Sequence, residues 1–195
     1  VKKIAAAYLI AILLLSSTQL LLYRVDVPAA FDIPPAAIKV GLSGSGSSDE
    51  ISWHWISPGG DYVQEVAISA DGSYVVARTE GDKIYLFTKS SSTPVWQYSA
   101  ETVFSVDISD NGSYIVAGGD GVMLFSSSDN TPIWENDYSY GQVISSVSIS
   151  SDGSYIAAAV RYTKVLLFSR DKSAPIMTYE NLDAPSTVSI SADGQ

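Results

Sequence analysis

The sequence predicts an all-β protein of repeated four-stranded antiparallel units behind one hydrophobic N-terminal segment, and three observations predict it. A motif recurs as Val66-Ala-Ile-Ser-Ala-Asp-Gly-Ser-Tyr74, Val106-Asp-Ile-Ser-Asp-Asn-Gly-Ser-Tyr114 and Val147-Ser-Ile-Ser-Ser-Asp-Gly-Ser-Tyr155, and begins again at Val188. Its turn glycines, Gly72, Gly112, Gly153 and Gly194, are 40, 41 and 41 residues apart. Between recurrences lie short apolar runs bounded by turn residues. A period near forty with strand-like content is that of β-propeller blades. The expectation is about three four-stranded blades and the start of a fourth.

Each repeat divides into four strands. Val63–Ser69 alternates, as a first, inner strand should. Asp71-Gly72 then supplies a tight turn, because glycine tolerates the positive φ that such turns need. Tyr74–Ala77 is a second strand. Ile84-Tyr-Leu-Phe87 is a third, matched by Val122-Met-Leu-Phe125 and Val165-Leu-Leu-Phe168. Apolar residues at successive positions imply burial on both faces, the environment of a sheet between two neighbours. Pro94-Val-Trp96 opens the fourth strand, matched by Pro132-Ile-Trp134 and Pro175-Ile-Met177. Proline there costs no ladder hydrogen bond if it lies at a strand start or on an outer edge.

Ile51-Ser-Trp-His-Trp55 repeats the tryptophan-bearing segment ahead of the first full repeat, so 51–57 is expected to be an outer strand. The propeller domain is thus assigned to 51–195. Three blades and a hairpin do not close a ring of the usual four to eight, so further repeats are expected beyond Gln195.

Residues 26–50 form a linker, stiffened by Pro28, Pro34 and Pro35 and loosened by Gly41, Gly44 and Gly46 among serines. Before it, Ile4–Tyr23 are twenty uncharged residues, enough to span about 30 Å as a helix. Lys2 and Lys3 favour a cytoplasmic N-terminus. Residues 1–25 are therefore a transmembrane signal anchor or a cleaved signal peptide. Both place the repeats outside the cytoplasm, at the cell surface or secreted.

Composition narrows the function. There is no cysteine, which excludes disulfides, thiolate metal sites and a cysteine-linked lipid. From Val25 onward the chain carries 8 basic and 21 acidic residues, a net charge of −13. Such a surface repels nucleic-acid phosphates, so no nucleic-acid partner is expected.

The repeats resemble the WD40-like and quinoprotein-like (PQQ-type) β-propeller repeats of prokaryotic surface proteins. The residues that carry the resemblance are Ile68-Ser-Ala-Asp-Gly-Ser-Tyr74, Ile84-Tyr-Leu-Phe87 and Pro94-Val-Trp96, with their downstream counterparts. The Gly-His and Trp-Asp dipeptides of eukaryotic WD40 blades are absent. The tryptophan positions look more like the inter-blade docking tryptophans of the quinoprotein-like group. The resemblance implies a binding or scaffolding propeller or, alternatively, the propeller of a quinone-dependent oxidoreductase or another propeller-based enzyme. It carries over no residue of a quinone or calcium site, so no cofactor is expected.

No catalytic constellation is visible, and the favoured expectation is a non-enzymatic protein. His54 is the sole histidine and has no companion ligand. Asp71, Asp152 and Asp193 sit beside turn glycines and recur once per blade, which suits turn formation better than calcium. Asn111 replaces Asp in the second repeat and makes Asn111-Gly-Ser113 a possible glycosylation site. Gly118-Gly-Asp-Gly121 reads as a loop joining two strands. Trp96 and Trp134 read as packing residues, since Met177 fills the same slot in the third repeat.

Loop lengths point to a binding face. The distance from Phe87, Phe125 or Phe168 to the next Trp or Met is nine each time. Variation falls instead between the second and third strands and between blades, and those two loops emerge on one face of an up-and-down blade. Loops on a rigid scaffold commonly carry recognition. The candidate face for a protein partner comprises Arg78, Glu80, Asp82, Asp120, Asp137, Tyr138, Tyr140, Arg161, Tyr162 and Lys164.

Overall fold

The computed structural model describes residues 61–137, 142–180 and 185–194. The expected membrane segment 1–25, the linker 26–50 and the strand at 51–57 with His54 lie outside the described residues, as do Tyr138 and Tyr140.

Three antiparallel four-stranded sheets follow one another along the chain, and no helix occurs among the described residues. The first sheet is β1 (Val63–Ile68), β2 (Tyr74–Thr79), β3 (Lys83–Thr88) and β4 (Trp96–Ser99), in that spatial order. The second is β5 (Val103–Ile108), β6 (Tyr114–Gly119), β7 (Gly121–Ser126) and β8 (Pro132–Asp137). The third is β9 (Ile144–Ile149), β10 (Tyr155–Val160), β11 (Lys164–Ser169) and β12 (Met177–Glu180). Each up-and-down sheet is one blade, as the apolar runs predict.

The continuous apolar third strands are explained by what lies on each side. In the second blade Ile115, Ala117, Met123 and Phe125 pack towards the first, against Val76, Ile84, Leu86 and Trp96. The intervening Val116, Val122 and Leu124 pack towards the third, against Ile144, Val147, Ile156, Leu166 and Phe168. A strand with neighbours on both faces has no polar side to show.

The tryptophans lock one blade to the next. The Trp96 ring lies 5.5 Å from that of Phe125, and its Nε1 donates to the Ser127 carbonyl at 3.1 Å. Trp134 repeats this on Phe168 at 5.6 Å, donating to the Arg170 carbonyl at 2.6 Å. Each indole thus buries its ring and satisfies its one donor.

The Asp-Gly-Ser-Tyr motif is a turn and a joint at once. Asp71 Oδ1 accepts from Ser69 Oγ at 2.8 Å and from the Ser73 amide at 2.9 Å. Asn111 does the same with Ser109 and Ser113, both at 2.9 Å. Gly112 has φ +68, and a Cβ there would sit 2.5 Å from Cδ2 of Tyr74 in the preceding blade. Gly153 stands in the same relation to Tyr114. The glycine therefore supplies both the left-handed backbone and the space for the previous blade's tyrosine.

Inner strands are tied edge to edge by side chains. Glu65 Oε2 accepts from the Val106 amide at 2.9 Å, Ser105 Oγ from Val147 at 3.2 Å, and Ser146 Oγ from Val188 at 3.2 Å. Backbone bonds continue the series at the turns, Ala70 to Asp110, Asp110 to Ser151 and Ser151 to Ala192. Residues 185–194 thus lie along β9 as each inner strand lies along its predecessor, and Gly194 repeats the turn conformation at φ +72.

Candidate functional site: the loop end of the blades

Strand register settles which loops share an end. Val63 pairs with Thr79, Val103 with Gly119 and Val160 with Ile144, so the inner strands start where the second strands finish. Lys83 pairs with Ser99 and Gly121 with Asp137, which brings the third-strand starts and outer-strand ends there as well. The two variable loops of every blade therefore emerge at one end, and the Asp-Gly turns at the other.

The expected site residues divide in two at this end. Glu80, Asp120, Asp137, Arg161 and Tyr162 are exposed. Lys164 is half-buried at the start of β11. Arg78 and Asp82 work inside the structure instead. Arg78 Nε pairs with Glu65 at 3.3 Å, its Nη1 donates to the Val103 carbonyl at 3.3 Å, and its side chain is only 17% exposed. Asp82 accepts from the Val103 amide at 3.0 Å, holding the blade-joining loop. The expected Gly118–Gly121 loop is shorter than its composition suggests. Gly118 and Gly119 belong to β6 and Gly121 to β7, leaving Asp120 alone at the turn. Glycine is needed because a Cβ at Gly119 would overlap the Thr102 carbonyl oxygen.

Two exposed aromatics at this end escaped the sequence reading. Tyr62 is 66% exposed and Phe104 is 39% exposed. The pairing of β5 with β6 shifts between Val103 and Ser105, so Phe104 is the extra residue of a β-bulge and turns out of the ladder. The other inner strands place Gln64 and Ser145 there, with the same shift. A phenylalanine where the repeat otherwise has polar residues was the available signal.

Tyr162 completes the set. It is 65% exposed, and Arg161 lies over its ring at 5.1 Å. Its φ is +65, a left-handed conformation that costs a non-glycine residue about 1–2 kcal/mol.

The opposite end is built differently. Its carboxylates are tied into turns: Ser73 and Ser69 hold Asp71 down to about 2, and Ser154 and Ser150 do the same for Asp152. Asn111 is exposed, but its Oδ1 is engaged in the turn. A shallow groove there is lined by Tyr114, Ile133, Trp134 and Arg170. Its walls are already joined, with Arg170 over Tyr114 at 4.8 Å. The exposed aliphatics Val95, Ile133 and Ile176 recur once per blade beside the repeat's proline and belong to the repeat rather than to a particular site.

Towards the inner strands lies the most perturbed acid. Asp107 accepts from the Ile149 amide at 3.0 Å and from its neighbour Ile108 at 2.8 Å. Burial outweighs these bonds and pushes its carboxyl up to about 6. It bridges two blades and stands away from the loops. Among the described residues no group of three His, Asp or Glu side chains is placed to hold a metal ion.

Comparison with known proteins adds one finding. Comparison with curated proteins gives no match. The family model for the WD domain, G-beta repeat, matches residues 92–131, which run from the approach to β4 through β5, β6 and β7. That match and the three successive four-stranded sheets around it support a WD40-like propeller.

Proposed function

We propose that this chain is a non-enzymatic interaction module that docks a protein partner on the loop end of its blades. The observation that carries the reading is the placement of Tyr62, Phe104 and Tyr162. All three are exposed at that end, and each stands where the equivalent positions of the other blades hold no aromatic. Exposed aromatics beside an arginine are the side chains most enriched at binding hot spots. The strained backbone of Tyr162 supports the same reading, since a glycine would be the easier residue in that turn. WD40 repeats generally mediate protein–protein contacts, which agrees with a protein as the partner.

The reading extends to location on sequence grounds. Ile4–Tyr23 would tether or export the repeats. Protease added to intact cells should then cleave the repeats; full protection with the outer surface accessible contradicts the topology.

The test of the binding face uses Tyr162→Gly and Phe104→Ala, with Ser73→Ala and Ser113→Ala as controls at the turn end. Partner capture should fall for the first pair. Tyr162→Gly should leave the melting temperature unchanged or raised, because it removes left-handed strain. Capture lost with the controls and kept with the loop variants reverses the face assignment.

A further inference from the structure

The blades are acidic at both ends, but the two ends use their carboxylates differently. At the turn end Asp71, Asp152 and Asp193 each accept a serine hydroxyl two residues before them, and the first two take a further hydroxyl and amide from the serine two residues after. Those carboxylates stay ionised, but their oxygens are already engaged by the turns they build. At the loop end Glu80, Glu101, Asp120 and Asp137 are exposed, and none of their side-chain carboxylates makes a hydrogen bond or ion pair among the described residues. These four stand on the first and second blades and their junction, the sector that also presents Tyr62 and Phe104. The cations of this sector are spent: Arg78 on Glu65 at 3.3 Å, and Lys83 on Asp61 at 2.8 Å.

We infer that the loop-end sector of the first two blades receives a basic, arginine- or lysine-bearing segment of the partner. The inference rests on the proposed binding face and adds the partner's chemistry. Unpaired carboxylates in high dielectric attract cations at range and raise the encounter rate. The faces of Tyr62 and Phe104 attract the same cations at contact and cover their aliphatic stems.

Fluorescence anisotropy with a labelled oligoarginine peptide, and an oligoglutamate peptide of equal length, provides the test. Oligoarginine should bind the full chain, with affinity falling as salt rises, and oligoglutamate should not. Converting Glu80 and Glu101 to Gln and Asp120 and Asp137 to Asn should weaken binding at least about tenfold, as expected for four exposed charge pairs. The matched control converts Asp71, Asp110, Asp152 and Asp193 to Asn, the same change in charge at the other end. Asn111 already builds this turn in the second blade, so the control should fold, and it should bind within about twofold of the parent. Equal losses at the two ends would mean attraction to net charge alone and would overturn the inference, as would no oligoarginine binding. If the native partner's capture depends on Phe104 and Tyr162 but is indifferent to the loop-end charges, the binding face stands and its basic ligand does not.

Discussion

Replacing Phe125 with Ala should loosen the joint between the first two blades. Phe125 is fully buried on β7 and faces the first blade. Trp96 lies against its ring at 5.5 Å, and Tyr98 meets it edge-on at 5.0 Å. Truncating a buried phenylalanine costs about 3–5 kcal/mol, the lost transfer energy plus the cavity left behind. Each aromatic pair adds about 0.5–1.5 kcal/mol beyond area, and Phe125 makes two, so the upper half of the range is expected. Equilibrium denaturation followed by far-ultraviolet circular dichroism measures it without relying on Trp96 fluorescence. A double-mutant cycle with Trp96→Ala should show coupling of about 0.5–1.5 kcal/mol, because each ring loses value when the other is gone. Ser127→Ala should cost about 0.5 kcal/mol or less, since Trp96 bonds the Ser127 carbonyl and not its side chain. A loss below about 1 kcal/mol for Phe125→Ala would refute the two-sided burial of the third strands.

Other consequences can be checked alongside. Gly72 and Gly112 share a left-handed φ, but among the described residues nothing lies within 4 Å of a Cβ at Gly72, whereas one at Gly112 meets Tyr74; Gly72→Ala should cost about 1–2 kcal/mol and Gly112→Ala clearly more in the same denaturation assay. Stability should be greatest near about pH 4 in thermal melts across the acid range. Above that, Asp107, raised to about 6, must ionise in the fold after it has ionised in the unfolded chain, which removes up to about 3 kcal/mol as pH rises from about 4 to about 6. Below it, Asp71 and Asp152, held to about 2, surrender stability as pH falls from about 4 to about 2. Asp107→Asn should flatten the upper slope and leave the lower one; an unchanged upper slope would contradict the burial of that carboxyl.

The sequence disclosed the blades because their cause is local and repeated. Ile84–Phe87 and its counterparts show no polar face, and the strands were found where those runs lie. It disclosed less wherever the cause lies in the next blade. Tyr74 looks like a strand residue until Gly112 is found to leave room for its ring. Glu65, Ser105 and Asp107 look like the solvent side of an alternating strand, yet each accepts a backbone amide from the following inner strand. Such partners are about one repeat away in the chain, beyond any local pattern. That the variable loops share one end of the blades was readable from loop lengths, but what each residue does there was not. Arg78 and Asp82 turned inward to hold the blade-joining loop, and Phe104 turned outward because a bulge broke the alternation that would have placed it.

The most direct test of the loop end as the recognition surface is site-specific photocrosslinking in the presence of the native partner. A photoreactive phenylalanine analogue at Phe104 preserves the aromatic ring, and the same group at Ser113 reports the turn end. Docking at the loop end gives a partner adduct from position 104 and none from position 113. An adduct from 113 alone would contradict it.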